Sequence, residues 1–280
     1  DTTVPSLNSG NAKWYWTTDT GNNPNYTELT VSKILGPTNR IKAYIYPSDN
    51  VTDISNITVT CPSVTLGGNT LSNSTGNPSV TYVADDGEGD EAFELVYTIP
   101  PLNTANANGY FGFNVNLADE AGNLVSTTNM APPTTGLTIT VDTIAPELET
   151  TNIPAVQTNG TEIKLYFTEV LDTSDISKNS FDISGSTLGT VTPGAISFDD
   201  QNGVTGDEVI ILESFGTIVS GETVSVNYTP GNVRDLAGNA WNPSNPISLT
   251  NLTNSSPQPV SGSYSWFFKR SSDQSFSSLT

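Results

Sequence analysis

Apolar and polar residues alternate with a period of two over short stretches along the whole chain, and these stretches are rich in β-branched and aromatic residues. That is the pattern of half-buried strands. No stretch keeps apolar residues at helical spacing over three turns, so the sequence predicts an all-β fold. In the first half the expected strands run through Ile41, Ala43 and Ile45, then Ile57 to Cys61, then Phe93, Leu95, Tyr97 and Ile99. Phe111, Phe113, Val115 and Leu117 form the next, and Leu137, Ile139 and Val141 the last. In the second half they run through Ile163, Leu165 and Phe167, Val209 to Leu212, Val224, Val226 and Tyr228, and Ile247 and Leu249. Gly, Asn and Pro separate these short strands, as a β-sandwich requires.

A chain of 280 residues suits about two compact domains of roughly 100 to 150 residues each. The segment Val141-Asp142-Thr143-Ile144-Ala145-Pro146 ends the first run of strands, and its proline forces extended backbone where a new run begins. The expected division is therefore a sandwich over 29–145 and a second over 146–254. An Asp-x-Ala-Gly-Asn pattern occurs in each, at Asp119 to Asn123 and at Asp235 to Asn239. The offset, 235 − 119 = 116 residues, is one sandwich long. Asp accepts hydrogen bonds from its own turn while Gly and Asn tolerate positive φ, so the pattern suits a turn near the end of each domain. A calcium ligand at the Asp is the functional alternative.

The two ends fit neither repeat. An extension over 1–28 carries Trp14, Tyr15 and Trp16, and a tail over 255–280 carries Tyr264, Trp266, Phe267 and Phe268. Disordered segments are poor in aromatics, so both ends are expected to dock, on this chain's own sheets or as an added strand on a neighbour's edge.

From Gly160 to about Thr253 the chain resembles the SwmB-type immunoglobulin-like repeats of bacterial and archaeal surface proteins. Three blocks carry the resemblance: Thr161-Glu-Ile-Lys-Leu-Tyr-Phe-Thr-Glu-Val-Leu-Asp172, Val219-Ser-Gly-Glu-Thr-Val-Ser-Val-Asn-Tyr-Thr229 and Val233-Arg-Asp-Leu-Ala-Gly-Asn239. The first half resembles a more distant immunoglobulin-like module through Asp119 to Asn123 and the Val141 to Pro146 junction. The resemblance implies two tandem immunoglobulin-like β-sandwiches projecting from a cell or virion surface, commonly stiffened by calcium and carrying no chemistry of their own. Fold analogy alone does not establish function.

Composition narrows the choices. Acids outnumber bases 29 to 9, for a formal charge of −20, which repels nucleic acid and anionic membranes and favours cations. No run approaches the roughly 20 apolar residues that span a bilayer, and no basic-then-apolar leader precedes Asp1. A chain opening on Asp is expected to be a processed product or a piece of something longer. There is no histidine, which removes Ser-His-Asp and Cys-His machinery and His-ligated zinc. Paired carboxylates remain open to catalysis in principle, but chance pairs abound among 29 acids, so no enzyme activity and no catalytic residue is expected. Cys61 has no intrachain partner and lies in the alternation Ile57, Val59, Cys61, which reads as a small core residue. Eight Asn-x-Ser/Thr sequons occur, about what random placement gives for this composition, and they carry no signal.

Calcium takes six to eight oxygens from carboxylates, amides and carbonyls, and this chain offers little else. In Asp85-Asp86-Gly87-Glu88-Gly89-Asp90-Glu91, glycines between acids let a tight loop converge several carboxylates. Asp200 and Asn202, with Asp207 following, offer similar oxygens. Neither loop matches the twelve-residue EF-hand pattern. At the junction, Asp119, Glu120 or Asp142 could meet residues of the second domain, and Asp235 repeats Asp119. The expected function is a secreted or cell-surface structural protein: a self-assembling surface-layer, filament or sheath subunit stiffened by Ca2+. An adhesin stalk meeting a surface glycan or cell-surface partner, or a virion fibre protein, is the alternative. The partner expected first is another copy of the chain, met through the terminal segments.

Overall fold

The computed structural model describes residues 2–7, 9–49, 53–73, 77–101, 104, 107–132, 136–200 and 208–253, and the backbone of 266–268 and 277–279. Apart from short 3-10 turns, all regular structure among them is β-strand. Two hydrophobic cores form. One draws on residues from Ala12 to Val141, the other on residues from Val156 to Ile247.

The first core lies between two sheets. One has the order Thr27–Glu28, Lys13–Thr17, Arg40–Ile45, Ala92–Thr98, Ser79–Val83. The other has the order Lys33–Leu35, Ile139–Val141, Gly109–Ala118, Thr58–Leu66, Asn69–Ser72, with Leu124–Met130 also paired to Gly109–Ala118. The alternation works as expected: Ile41, Ala43 and Ile45 are wholly buried while Lys42 and Tyr44 between them are not. Cys61 is buried too, and burial pushes its thiol up to about 12, so it is an inert part of the core.

The extension over 1–28, expected to dock on this chain's own sheets or on a neighbour's edge, contributes the strand Lys13–Thr17 to this sandwich. Lys13–Thr17 pairs antiparallel along Arg40–Ile45, with Trp14 opposite Ala43. Trp14 is only 3% exposed and packs on Phe113 at 5.5 Å and edge-on to Phe111 at 6.3 Å between ring centroids. An indole of this size fills the space between the sheets, and burying it outweighs the entropy of fixing the segment.

The second core is enclosed by one path of eight strands: Gly189–Val191, Phe181–Gly185, Val224–Tyr228, Ile247–Asn251, Ala155–Val156, Glu162–Tyr166, Val209–Glu213, Ala195–Asp199. The path turns at the short strand Ala155–Val156, which pairs parallel with Ile247–Asn251 on one side and antiparallel with Glu162–Tyr166 on the other. Packed aromatic rings fill one end. Trp241 lies 4.6 Å from Tyr228 and 4.9 Å from Phe167, and Tyr228 lies 5.3 Å from Phe181. The Tyr228 hydroxyl accepts hydrogen bonds from the amides of Gly231, Asn232 and Val233, locking the loop that leads to Asp235.

Of the tail over 255–280, Trp266–Phe268 and Ser277–Leu279 pair antiparallel with each other. The rest of that expected assembly segment lies outside the described residues.

Candidate cation site between the two sandwiches

The Asp235 to Asn239 turn is held by its own side chains. Asp235 Oδ1 accepts from the amides of Ala237 and Asn239, each at 2.8 Å, and Oδ2 accepts from Asn239 Nδ2 at 2.7 Å. Gly238 supplies the positive φ, +88°. Asn239 Nδ2 also reaches the carbonyls of Asp142 at 3.1 Å and Ile144 at 2.9 Å. The turn therefore staples the segment that leads into its own domain.

That segment is held equally by the first sandwich. The Asp142 amide donates to the Leu35 carbonyl at 3.0 Å, and Thr143 donates to Asn108 Oδ1 through both its amide and its hydroxyl. Gly36 lies so close to the second sandwich that a Cβ there would collide with the Ala237 carbonyl oxygen. The linker is thus fixed from both sides.

Glu169 completes the site. It lies beyond the strand Glu162–Tyr166, which is continued by the bridge of Phe167 to Leu148 and by the Thr168 amide donating to Glu147. Two residues further on, Leu171 bridges to Asp235. The result is that carboxylate oxygens of Asp142, Glu169 and Asp235 all lie within 4.8 Å of one another. Among the described residues, this is the one group of three acids so arranged, and no Lys or Arg forms an ion pair with any of them.

Three carboxylates this close cannot all stay ionised without a counter-charge. Burial, then the neighbouring Asp235 and Asp142 charges, push the Glu169 carboxyl up from 4.5 to about 8. Burial also raises Asp235, against the opposing hydrogen bonds from Asn239. Asn239 Oδ1, on a side chain only 3% exposed, has no hydrogen-bond partner. An all-oxygen donor set suits a hard cation. Oxygens on opposite sides of a calcium ion, each about 2.3–2.6 Å from it, lie about 5 Å apart, so one ion can touch all three acids.

The remaining candidates are placed differently. In the acidic loop, Asp85 Oδ1 accepts from the amides of Gly87 and Gly89, and Asp86 Oδ1 from those of Glu88 and Asp90. Asp86 Oδ2 meets Lys13 Nζ at 2.7 Å and the Tyr46 hydroxyl at 2.5 Å, and Glu88 meets the same lysine at 2.6 Å. Lys13 and Tyr46 hold the Asp86 carboxyl well below the usual range. Lysine and backbone amides thus occupy the place expected for a metal, and Asp90 joins no cluster with them. Asp119 forms its own turn at the other end of the first sandwich, and Glu120 beside it is exposed. Asp200 is exposed beyond Ala195–Asp199, while Asn202 and Asp207 lie outside the described residues. Asp142 and Asp235 come together as metal-ligating candidates, and Glu169 joins them unforeseen. Its local signal is faint: a lone acid just past an alternating strand.

A scan against protein-family models and a search of curated proteins both give no match. Similar solved structures include one of fibronectin(III)-like modules of Clostridium thermocellum CbhA, 13% identical, covering 79% of this chain and 90% of that one, with a TM-score of 0.21.

Proposed function

We propose that the chain is an extracellular structural spacer whose two sandwiches are locked in line by a calcium ion held by Asp142, Glu169 and Asp235. The observation that supports this is the convergence of three acids, from the linker, a strand end and a turn, with no basic partner among the described residues. An ion there joins the linker directly to the second sandwich, and the linker is already hydrogen-bonded to the first. The likeness of residues 160–253 to SwmB-type repeats supports a cell-surface setting. On this reading the chain is a unit of a surface layer, filament or stalk and performs no catalysis. Trp14 and Trp16 of the N-terminal segment are packed on the core of the first sandwich, and self-assembly on this reading falls to the C-terminal segment.

Thermal melting and small-angle X-ray scattering of the full chain, in millimolar calcium and then in chelator, test the reading. At a hundred times Kd a ligand adds about 2.7 kcal/mol, which raises the melting of a domain this size by about 10 °C. The scattering curve is expected to lose its fixed maximum dimension when calcium is removed. A melting curve and a maximum dimension that both ignore the chelator refute the reading.

A further inference from the structure

The framework around the junction occurs a second time, at the start of the first sandwich. Asp119 Oδ1 accepts from the Asn123 amide at 2.8 Å and Oδ2 from Asn123 Nδ2 at 2.7 Å, matching Asp235 and Asn239. Asn123 Nδ2 donates to the Thr3 carbonyl at 3.0 Å, as Asn239 does to Ile144. Thr3 stands two residues before Pro5, and Ile144 two before Pro146. Leu7 then pairs with Pro47 and Ser6 with Ser48, where Leu148 pairs with Phe167 and the Thr168 amide donates to Glu147. One step further along each register, Asp49 falls opposite Pro5 where Glu169 falls opposite Pro146. The sequence keeps step as well, with Asp1-Thr-Thr-Val-Pro5-Ser-Leu7 beside Asp142-Thr-Ile-Ala-Pro146-Glu-Leu148.

An independent observation marks this place. Both carboxylate oxygens of Asp49 are closed off from solvent and have no hydrogen-bond partner. No Lys or Arg among the described residues forms an ion pair with Asp49 or Asp119. A carboxylate shut away from water without partners is costly, and a hard cation removes that cost. Asp119, whose turn holds the Thr3 carbonyl through Asn123, is itself only 6% exposed.

We propose that Asp49 and Asp119 form a second divalent-cation site of the calcium class. It is separated from the junction by the ten-residue strand Gly109–Ala118, about 33 Å. The chemistry rests on the same reading as the junction, but the residues are wholly separate. The first sandwich thus carries an ion at each end.

Counting bound calcium by native mass spectrometry, with calorimetric titration of CaCl2 into the full chain, tests this. The wild-type chain is expected to hold two ions, Asp49→Asn one, Glu169→Gln one, and the double variant none. Asp49 makes no hydrogen bond to lose, so Asp49→Asn is expected to melt no lower than wild type in chelator, and to lack part of the calcium-induced rise. Wild-type stoichiometry in Asp49→Asn overturns the second site. A single wild-type ion lost in Glu169→Gln alone also overturns it and leaves the junction standing. A single ion lost in Asp49→Asn alone does the reverse, and a wild-type chain that holds no calcium overturns both.

Discussion

Replacing Glu169 by Gln keeps the shape of the side chain and removes its charge, so its effect on stability is expected to change sign with calcium. The Glu169 carboxyl titrates at about 8 in the fold against 4.5 free. Between those values the folded chain holds one more proton than the unfolded chain, so stability falls as pH rises through the window and levels off above it. At about 1.4 kcal/mol per unit the full shift amounts to about 5 kcal/mol, and solvent screening of this half-buried group brings the figure to about 2 kcal/mol. In chelator at pH 8, Glu169→Gln is therefore expected to stabilise the second sandwich by about 2 kcal/mol, a rise of about 1 M in the urea midpoint. At pH 4.5 the gain is expected to vanish. In saturating calcium the variant lacks a ligand and is expected to fall below wild type. Urea unfolding followed by tryptophan fluorescence, at both pH values and with or without calcium, reads all of these. A variant that is less stable than wild type in chelator at pH 8 refutes the electrostatic argument.

Two further outcomes follow from the packing. Trp14→Ala is expected to cost the first sandwich about 3–5 kcal/mol, because the indole fills the space against Phe111 and Phe113; a loss under 1 kcal/mol in urea unfolding would mean that the Lys13–Thr17 strand is dispensable. Gly36→Ala places a Cβ against the Ala237 carbonyl across the junction, so calorimetry is expected to show roughly tenfold weaker calcium binding, about 1.4 kcal/mol, with the melting of each sandwich in chelator unchanged. Undiminished affinity in that variant would show that the two sandwiches need not touch for the ion to bind.

The all-β architecture was legible because alternation is a local signal, and residues such as Ile41, Ala43 and Ile45 state their face without help from the rest of the chain. Trp14, Tyr15 and Trp16 concealed theirs. Three successive aromatics show no alternation, and only pairing with Arg40–Ile45 turns Trp14 inward and Tyr15 outward. The acidic loop misled for a related reason: its counter-charge, Lys13, lies 73 positions from Asp86, so the loop read alone resembles a metal cradle. Asp142 and Asp235 were readable as candidates because motif and linker mark them. Glu169 and Asp49 were not, since strand register alone brings each to its place, and Asp49 stands where the second sandwich uses the longer acid.

The parallel pairing of Ala155–Val156 with Ile247–Asn251 bears on how the protein carries mechanical load. Of the eight strands around the second core, these come first and last along the chain. Because they run side by side in the same direction, the chain enters at one pole of the sandwich and leaves at the other. Tension applied through the flanking segments drags the two strands lengthwise past each other. The bonds from the Thr250 amide to Pro154 and from the Leu252 amide to Val156 are then strained together in shear, and yielding requires both to break at once. An antiparallel pair at the same place would unzip one bond at a time.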